Sequence, residues 1–315
     1  MKKSKKIWMI VAVCCIVVGS VMMTASAAMV GFDFSKFNTR FIYQKTYSVE
    51  VSYEEKTYTA ENTFTQIEIS TEWENVRFVL SEDGTCKVVC PVEDETDFTV
   101  EVEDNTLRII KNEDEWQENV IGFQFFAPED VTVYLPEKTY QALSVTTGSG
   151  NVFLPSDFTF TNVDMLSGSG NLDSQAQINR ILNAESASGN VSVQTFAGET
   201  LELKTASGEI DVQGSTARVI RISSVSGNLE INQSEASEEA SLQSTSGDVK
   251  FSKFDAPKME ITTVSGNVRG SLLSGKQFSV NSLTGNVQVP PNTSQSQTCT
   301  VSTTSGDVEL TVDSI

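Results

Sequence analysis

The chain has 315 residues, 39% of them apolar, and a formal net charge of −20. The length allows one large or two ordinary domains, and the low apolar share beside abundant Ser, Thr, Asn and Val suits many short strands and turns. The negative charge makes nucleic acid and anionic lipid poor partners, and the absence of histidine removes the commonest general base and metal ligand.

Chain order begins with MKKSKKIWMIVAVCCIVVGSVMMTASAAM, four lysines followed by an apolar run. This pattern signals export, with the lysines kept inside. Ala25-Ser26-Ala27 fits a cleavage site, so a secreted chain is one reading. The other is an uncleaved transmembrane helix. No charge interrupts residues 7–32, and about 20 apolar residues span a bilayer. Their length favours a single-pass anchor over residues 1–30, a juxtamembrane linker over 31–60 and an extracellular remainder.

Residues 61–142 read as degenerate capping coils. Residues 41–142 carry 23 acids and 7 bases, a net of −16, against −9 for 143–315. Ile67-Glu68-Ile69-Ser70-Thr71-Glu72-Trp73-Glu74-Asn75-Val76-Arg77-Phe78 alternates apolar and polar residues across a bend. Phe98–Val102 followed by Leu107–Ile109, across Glu103-Asp104-Asn105, reads as a second copy of this bent unit. Val131–Pro136 is a further strand. The acidic runs 93–97 and 113–115 lack fixed ligand spacing and read as solvated loops, so no metal or cofactor is assigned. Cys86 and Cys90 would sit ~13 Å apart on one strand, beyond disulfide reach. With Cys299 and the N-terminal Cys14 and Cys15 they read as small buried hydrophobes.

From residue 143 a repeat takes over. The bends fall at Gly150, Gly170, Gly189, Gly208, Gly227, Gly247, Gly266, Gly285 and Gly306, spaced by 19–21 residues. Residues seven and five before each glycine, and two after it, are apolar, with polar residues between them. Period-two alternation predicts strands with one buried face. Each repeat therefore supplies two strands joined at a bend, with glycine expected there for positive φ. Nine coils stacked in sequence at ~4.8 Å span about 43 Å. Phe160, Phe196, Phe254 and Leu272 mark a loop or third side that closes each coil. Three residues before the glycines stand Thr147, Ser167, Ser186, Thr205, Ser224, Ser244, Thr263, Ser282 and Thr303. One residue before, Ser or Thr recurs from Ser149 to Ser305. Both hydroxyl columns are expected to face inward and to bond neighbouring coils or the bend backbone. A ligand-binding hydroxyl array would need them outside.

The order of these motifs resembles the bacterial β-strand-repeat family of putative adhesins, a membrane-linked domain of unknown function common in Firmicutes. The likeness runs from I-x-I-x-T through V-Y-L-P to the repeated S-G-N-V. It implies a right-handed parallel β-helix or roll and brings no catalytic motif. The fold class expected is thus an all-β parallel β-solenoid of 19–20-residue coils behind one transmembrane helix. The function expected is a non-enzymatic surface module, adhesin-like or scaffolding, with an unknown protein or glycan partner. An envelope-stress accessory acting through another membrane protein is the alternative. A glycan-acting enzyme would need convergent carboxylates, and the outward residues Glu202, Arg221, Ser241 and Glu260 form no repeated acid pair.

Overall fold

The computed structural model describes residues 54–61, 63–92, 96–112, 129–293 and 296–313. The proposed membrane or signal segment, Cys14, Cys15 and the acidic stretches 93–95 and 113–115 lie outside the described residues. Every regular element within them is a strand, and no helix there is long and apolar enough to cross a membrane.

The N-terminal part contains β1 (Glu54–Ala60), β2 (Gln66–Thr71), β3 (Asn75–Leu80), β4 (Cys86–Val92), β5 (Phe98–Glu103), β6 (Thr106–Lys111) and β7 (Asp130–Leu135). The nine repeats follow as strand pairs, the first strand before the glycine bend and the second after it. They are β8 (Thr139–Thr147) with β9 (Val152–Leu154), β10 (Thr159–Ser167) with β11 (Leu172–Ser174), and β12 (Gln177–Ser186) with β13 (Val191–Gln194). Next come β14 (Ala197–Thr205) with β15 (Ile210–Gln213), β16 (Thr216–Ser224) with β17 (Leu229–Asn232), and β18 (Glu235–Ser244) with β19 (Val249–Phe254). The last are β20 (Lys258–Thr263) with β21 (Val268–Leu272), β22 (Gln277–Ser282) with β23 (Val287–Gln288), and β24 (Thr298–Thr303) with β25 (Val308–Val312).

First strands join one 12-stranded sheet and second strands a 13-stranded sheet. The repeats thus form a parallel β-solenoid with two sheets around one core. Equivalent positions stack in register, as in Leu182 beside Leu201, Ile220 beside Ala240, and Met259 beside Cys299. The alternation works as the sequence predicts, because Leu182 and Ala184 are buried on β12 while Asn183 between them is half-exposed. Instead of a third sheet, the return from second to first strand is a short loop. Aromatic residues in this return and at the strand ends beside it drop into the core: Phe158 and Phe196 in the loop and Phe160 and Phe254 at strand ends are buried, and Phe158 and Phe160 lie 6.3 Å apart.

Coil order departs from chain order at both ends. β24 inserts between β20 and β22, and β25 between β21 and β23, so the ninth repeat stacks inside the eighth. All repeats share one interior pattern, so that pattern cannot tell which coil stacks on which. At the other end β2 and β3 lie directly under β8 and β9, pairing Ile67 with Leu143 and Val76 with Val152. The later strands β6 and β7 stack outside them.

Two further expectations change here. The segment 98–109 is not a bent repeat: β5 and β6 form an antiparallel hairpin within one sheet. Asp104 and Asn105 have φ of 48° and 64°. Two consecutive left-handed residues fold a strand back on itself instead of carrying it to the facing sheet. Residues 54–60, expected as linker, form β1, which pairs antiparallel with β4, as β4 does with β7. These antiparallel strands end the parallel stack and protect its edge.

Candidate functional site

Chemistry-bearing side chains converge most densely along the corner where β8 to β25 make their glycine bends. In all nine repeats the hydroxyl three residues before the glycine donates to the bend carbonyl of the next coil toward the N-terminus. Ser186 Oγ donates to Gly170 O at 3.0 Å and accepts from the Gly189 amide at 2.9 Å. Thr205 repeats both bonds at 3.0 Å with Gly189 and Gly208. The column continues through Ser167, Ser224, Ser244 and Thr263. Thr147 starts it on Glu72 O, and Thr303 and Ser282 follow the swapped coil order onto Gly266 O and Gly306 O.

The glycines themselves stand there for a different reason from the one expected. Among the described glycines positive φ occurs at Gly84 and Gly214, not at the bends. At Gly227 an added Cβ would lie 1.6 Å from the Gly208 carbonyl oxygen, and at Gly189 1.9 Å from that of Gly170. Each bend rests directly on the bend below, leaving no volume for a side chain. The degenerate coil fits this stack through Glu74, whose carbonyl would meet a Gly150 Cβ at 1.8 Å. Left-handed residues sit instead at the opposite corner, at Thr195, Gly214, Gln233 and Lys253.

A second ladder stands one residue after the glycine, where Asn and Asp are suited to bond nearby backbone. Asn Oδ1 accepts the backbone amide of the equivalent residue one coil on: Asn75 from Asn151 at 2.9 Å, Asn151 from Asn171 at 2.8 Å, and Asn171 from Asn190 at 2.9 Å. Asn190 accepts from Glu209 at 2.9 Å. Asn228, Asp248 and Asn267 continue toward Asp307 and Asn286. The recurrence of Asn or Asp after eight of the nine glycines is its signal in the sequence. Glu209 interrupts it, because one extra methylene carries its carboxylate past the amide to the Asn228 side chain at 3.2 Å. Glu209→Asn is expected to stabilise the protein by about 0.5–1.5 kcal/mol, read from urea unfolding. A lower midpoint would count against the ladder.

The hydroxyls one residue before each glycine do not face inward. Ser149, Ser169, Ser188, Ser207, Ser226, Ser246, Ser265, Thr284 and Ser305 are all exposed. The bend departs from strand geometry, so period-two counting fails within it. These residues form a row along the outside of the corner, one per coil.

The 12-stranded sheet also carries a shallow cleft of about 240 Å³ on its outer face. Asp164, Asn183, Glu185, Glu202 and Lys204 line it, and Lys204 pairs with Glu202 at 2.7 Å. Such a lining suits reversible polar contacts. Across the facing sheet, burial raises the Asp173 pKa above its ordinary value, and burial followed by Glu230 raises that of Asp211. A raised carboxyl pKa means that the ionised form costs stability once pH exceeds the folded value, and that the cost disappears below the unfolded value. Asp173→Asn should therefore raise the melting midpoint at pH 7, with the gain closing as pH falls toward 4. A gain equal at both pH values would contradict this.

The described thiols, Cys86, Cys90 and Cys299, are buried and free. Burial pushes Cys86 up to about 11 and Cys90 and Cys299 up to about 12, which leaves them unreactive at neutral pH. Among the described residues no group of three His, Cys, Asp or Glu side chains is placed to hold a metal. Two buried lysines close the ends of the core. Lys111 lies 3.4 Å from Asp97 and 3.8 Å from Glu74, above the Phe98 ring at 4.9 Å. Lys276 is fully buried and donates to Asp255, to Ser274 Oγ at 2.9 Å and to Gln297 Oε1 at 2.8 Å.

Comparison with solved structures finds bacterial proteins of similar fold. A Parabacteroides distasonis protein named a putative lipid binding protein superposes with a TM-score of 0.50 at 15% identity, over 84% of this chain and 98% of its own. A putative adhesin of Bacteroides fragilis gives 0.44 at 15% identity, over 83% and 97% of the two chains. Another from Parabacteroides distasonis gives 0.40 at 13% identity, over 82% and 98%. Comparison with curated proteins finds no match. The family model described as Toastrack DUF4097 matches residues 64–252 and again 174–314, which takes in the strands from β2 onward, both ladders and the swapped C-terminal coils. The chain belongs to the Toastrack DUF4097 family.

Proposed function

We propose that this protein is a non-catalytic module of the cell envelope, adhesin-like or scaffolding, exported by its N-terminal segment and displayed outside the membrane. One observation carries the reading. The polar side chains on the inside of the bends are engaged with backbone groups in the two ladders, while the corner outside them presents a row of nine exposed hydroxyls, one per coil. A periodic polar row supplies many weak, equivalent contacts, which suits attachment to a repetitive surface through multivalency better than turnover of a single bond. The names of the Bacteroides fragilis and Parabacteroides distasonis proteins, adhesin and lipid binding, are in keeping with a surface role. An accessory acting through another membrane protein would use the same exposed faces.

Protease added to intact cells should remove the solenoid while sparing a cytoplasmic marker. A solenoid protected until lysis would overturn the envelope reading. Ser188→Arg with Ser226→Arg should leave the melting curve in place and reduce binding of the purified protein to cell-envelope preparations. Unchanged binding would exclude the hydroxyl row as the contact surface. Crosslinking in live cells then separates the alternatives: envelope polymer supports attachment, and a single membrane protein supports the accessory role.

A further inference from the structure

The two ends of the solenoid are finished differently. At the N-terminal end the edge strands carry charge, Glu54, Glu55 and Lys56 on β1 and Glu101 and Glu103 on β5. At the C-terminal end the edges are β22 and β23. Between Arg269 and Asp307 the only charged residue is Lys276, and it is buried. The solenoid of this acidic chain thus presents a neutral edge coil at that end.

That face is also an unfinished interior. Val287 belongs to the core column two residues after the glycine. Val152, Leu172, Val191, Ile210, Leu229, Val249, Val268 and Val308 in that column are all buried to within 1%, yet Val287 is 47% exposed. Phe278 and Val280 are only partly buried, and Leu283 at the bend is 76% exposed. Backbone groups are open as well. Residues of a parallel strand alternate between their two neighbours. Gln277 and Leu283 donate to Gln297 O and Thr303 O on the β24 side. Their even-numbered neighbours therefore face outward. Asn292 takes the Phe278 amide, and Thr293 donates to Lys276 O. Among the described residues this leaves the Val280 and Ser282 backbone at a free edge, and β22 itself carries neither the charge nor the proline that protects exposed edges, the prolines Pro290 and Pro291 lying beyond β23.

We propose that this end is a docking surface for a second copy of the same chain, joined tail to tail. Each coil is shaped to receive another coil of the same grammar, so a repeat of this chain is the matching partner. Head-to-tail stacking is blocked, because the antiparallel strands β1, β4 and β5 close the other end. Only a second C-terminal face remains. Antiparallel pairing of β22 with its equivalent about a two-fold axis uses the same patch on both copies and closes after two. It also brings two strongly acidic bodies together at their least charged point, where repulsion is weakest.

The test is sedimentation of the full chain in detergent micelles over a concentration series. A reversible dimer is expected by about 100 μM. Val287→Glu with Leu283→Glu should weaken it at least ten-fold while leaving the melting midpoint in place, since both side chains already meet solvent. Mixing a Val287→Glu chain with a Val287→Lys chain should recover the dimer as a mixed species. A chain that stays monomeric throughout overturns the proposal. So does a dimer that these substitutions leave unchanged, because that dimer forms elsewhere, for example through residues 7–32.

Discussion

Gly227→Ala is expected to cost on the order of 4 kcal/mol or more, placing it among the most damaging single changes available to this fold. The new Cβ would lie 1.6 Å from Gly208 O, 2.5 Å from Gly208 C and 2.9 Å from Ser224 Oγ. Two of these atoms are backbone, so no rotamer relieves the contact. The bend must move outward by more than an ångström, which breaks the bond between Ser224 Oγ and the Gly227 amide, now 2.8 Å. It also parts the coil from its neighbour, and nearest-neighbour contacts hold a stack of repeats together. Gly84→Ala is the control. No atom lies within 4 Å of its added Cβ, and its φ of +71° is the sole penalty, about 1–2 kcal/mol. Urea unfolding of the two variants decides the matter. Equal costs would mean that backbone freedom, and not volume, fixes glycine at the bends.

Asp255→Ala is expected to cost about 3–5 kcal/mol, because it leaves the Lys276 ammonium buried without its counter-charge. The three groups that hold this ammonium come from different levels of the stack. Asp255 follows β19, Ser274 precedes β22 in the terminal coil, and Gln297 precedes β24 in the inserted coil. Lys276 therefore ties the swapped C-terminal coils to the body of the solenoid. The loss should be local: amide exchange should quicken first in β22 and β24, and Cys299 should become accessible to thiol reagents. Pairing Asp255→Ala with Lys276→Met removes both charges and should restore most of the stability. A double variant as unstable as the single one would show that the ion pair is not the source.

These two cases mark how far the sequence carries. Column after column of apolar residues at fixed offsets from the glycines predicts the buried faces of β8 to β21, and the match of Ile67, Ile69 and Val76 to that pattern places the degenerate coil in register with Leu143, Val145 and Val152. The inner hydroxyl column is equally legible, since a polar residue at a core position in every repeat must find a partner there. The outer row departs from the alternation because alternation holds only while the backbone stays extended, and Ser149 to Ser305 lie in the bend. The Glu103-Asp104-Asn105 turn shows the same limit: strands of similar pattern belong to a hairpin or to a bent coil according to two dihedral angles.

By itself, then, the sequence determined that the chain makes strands, how long each coil is, which side chains fill the core and where the bends fall. These are local properties, set by residue type and by period along the chain. Tertiary structure alone decided which coil touches which, why glycine occupies the bends and what lies at the two ends. Repeats with a common interior pattern are interchangeable partners, so pattern cannot order them. The position of the ninth coil inside the eighth is set by contacts between residues distant in sequence, of which the burial of Lys276 against Asp255 and Gln297 is the clearest. Bend glycines belong to the same class, because their need arises from the carbonyl of a neighbouring coil about 19 residues away, and no property of the local chain records how closely that coil approaches.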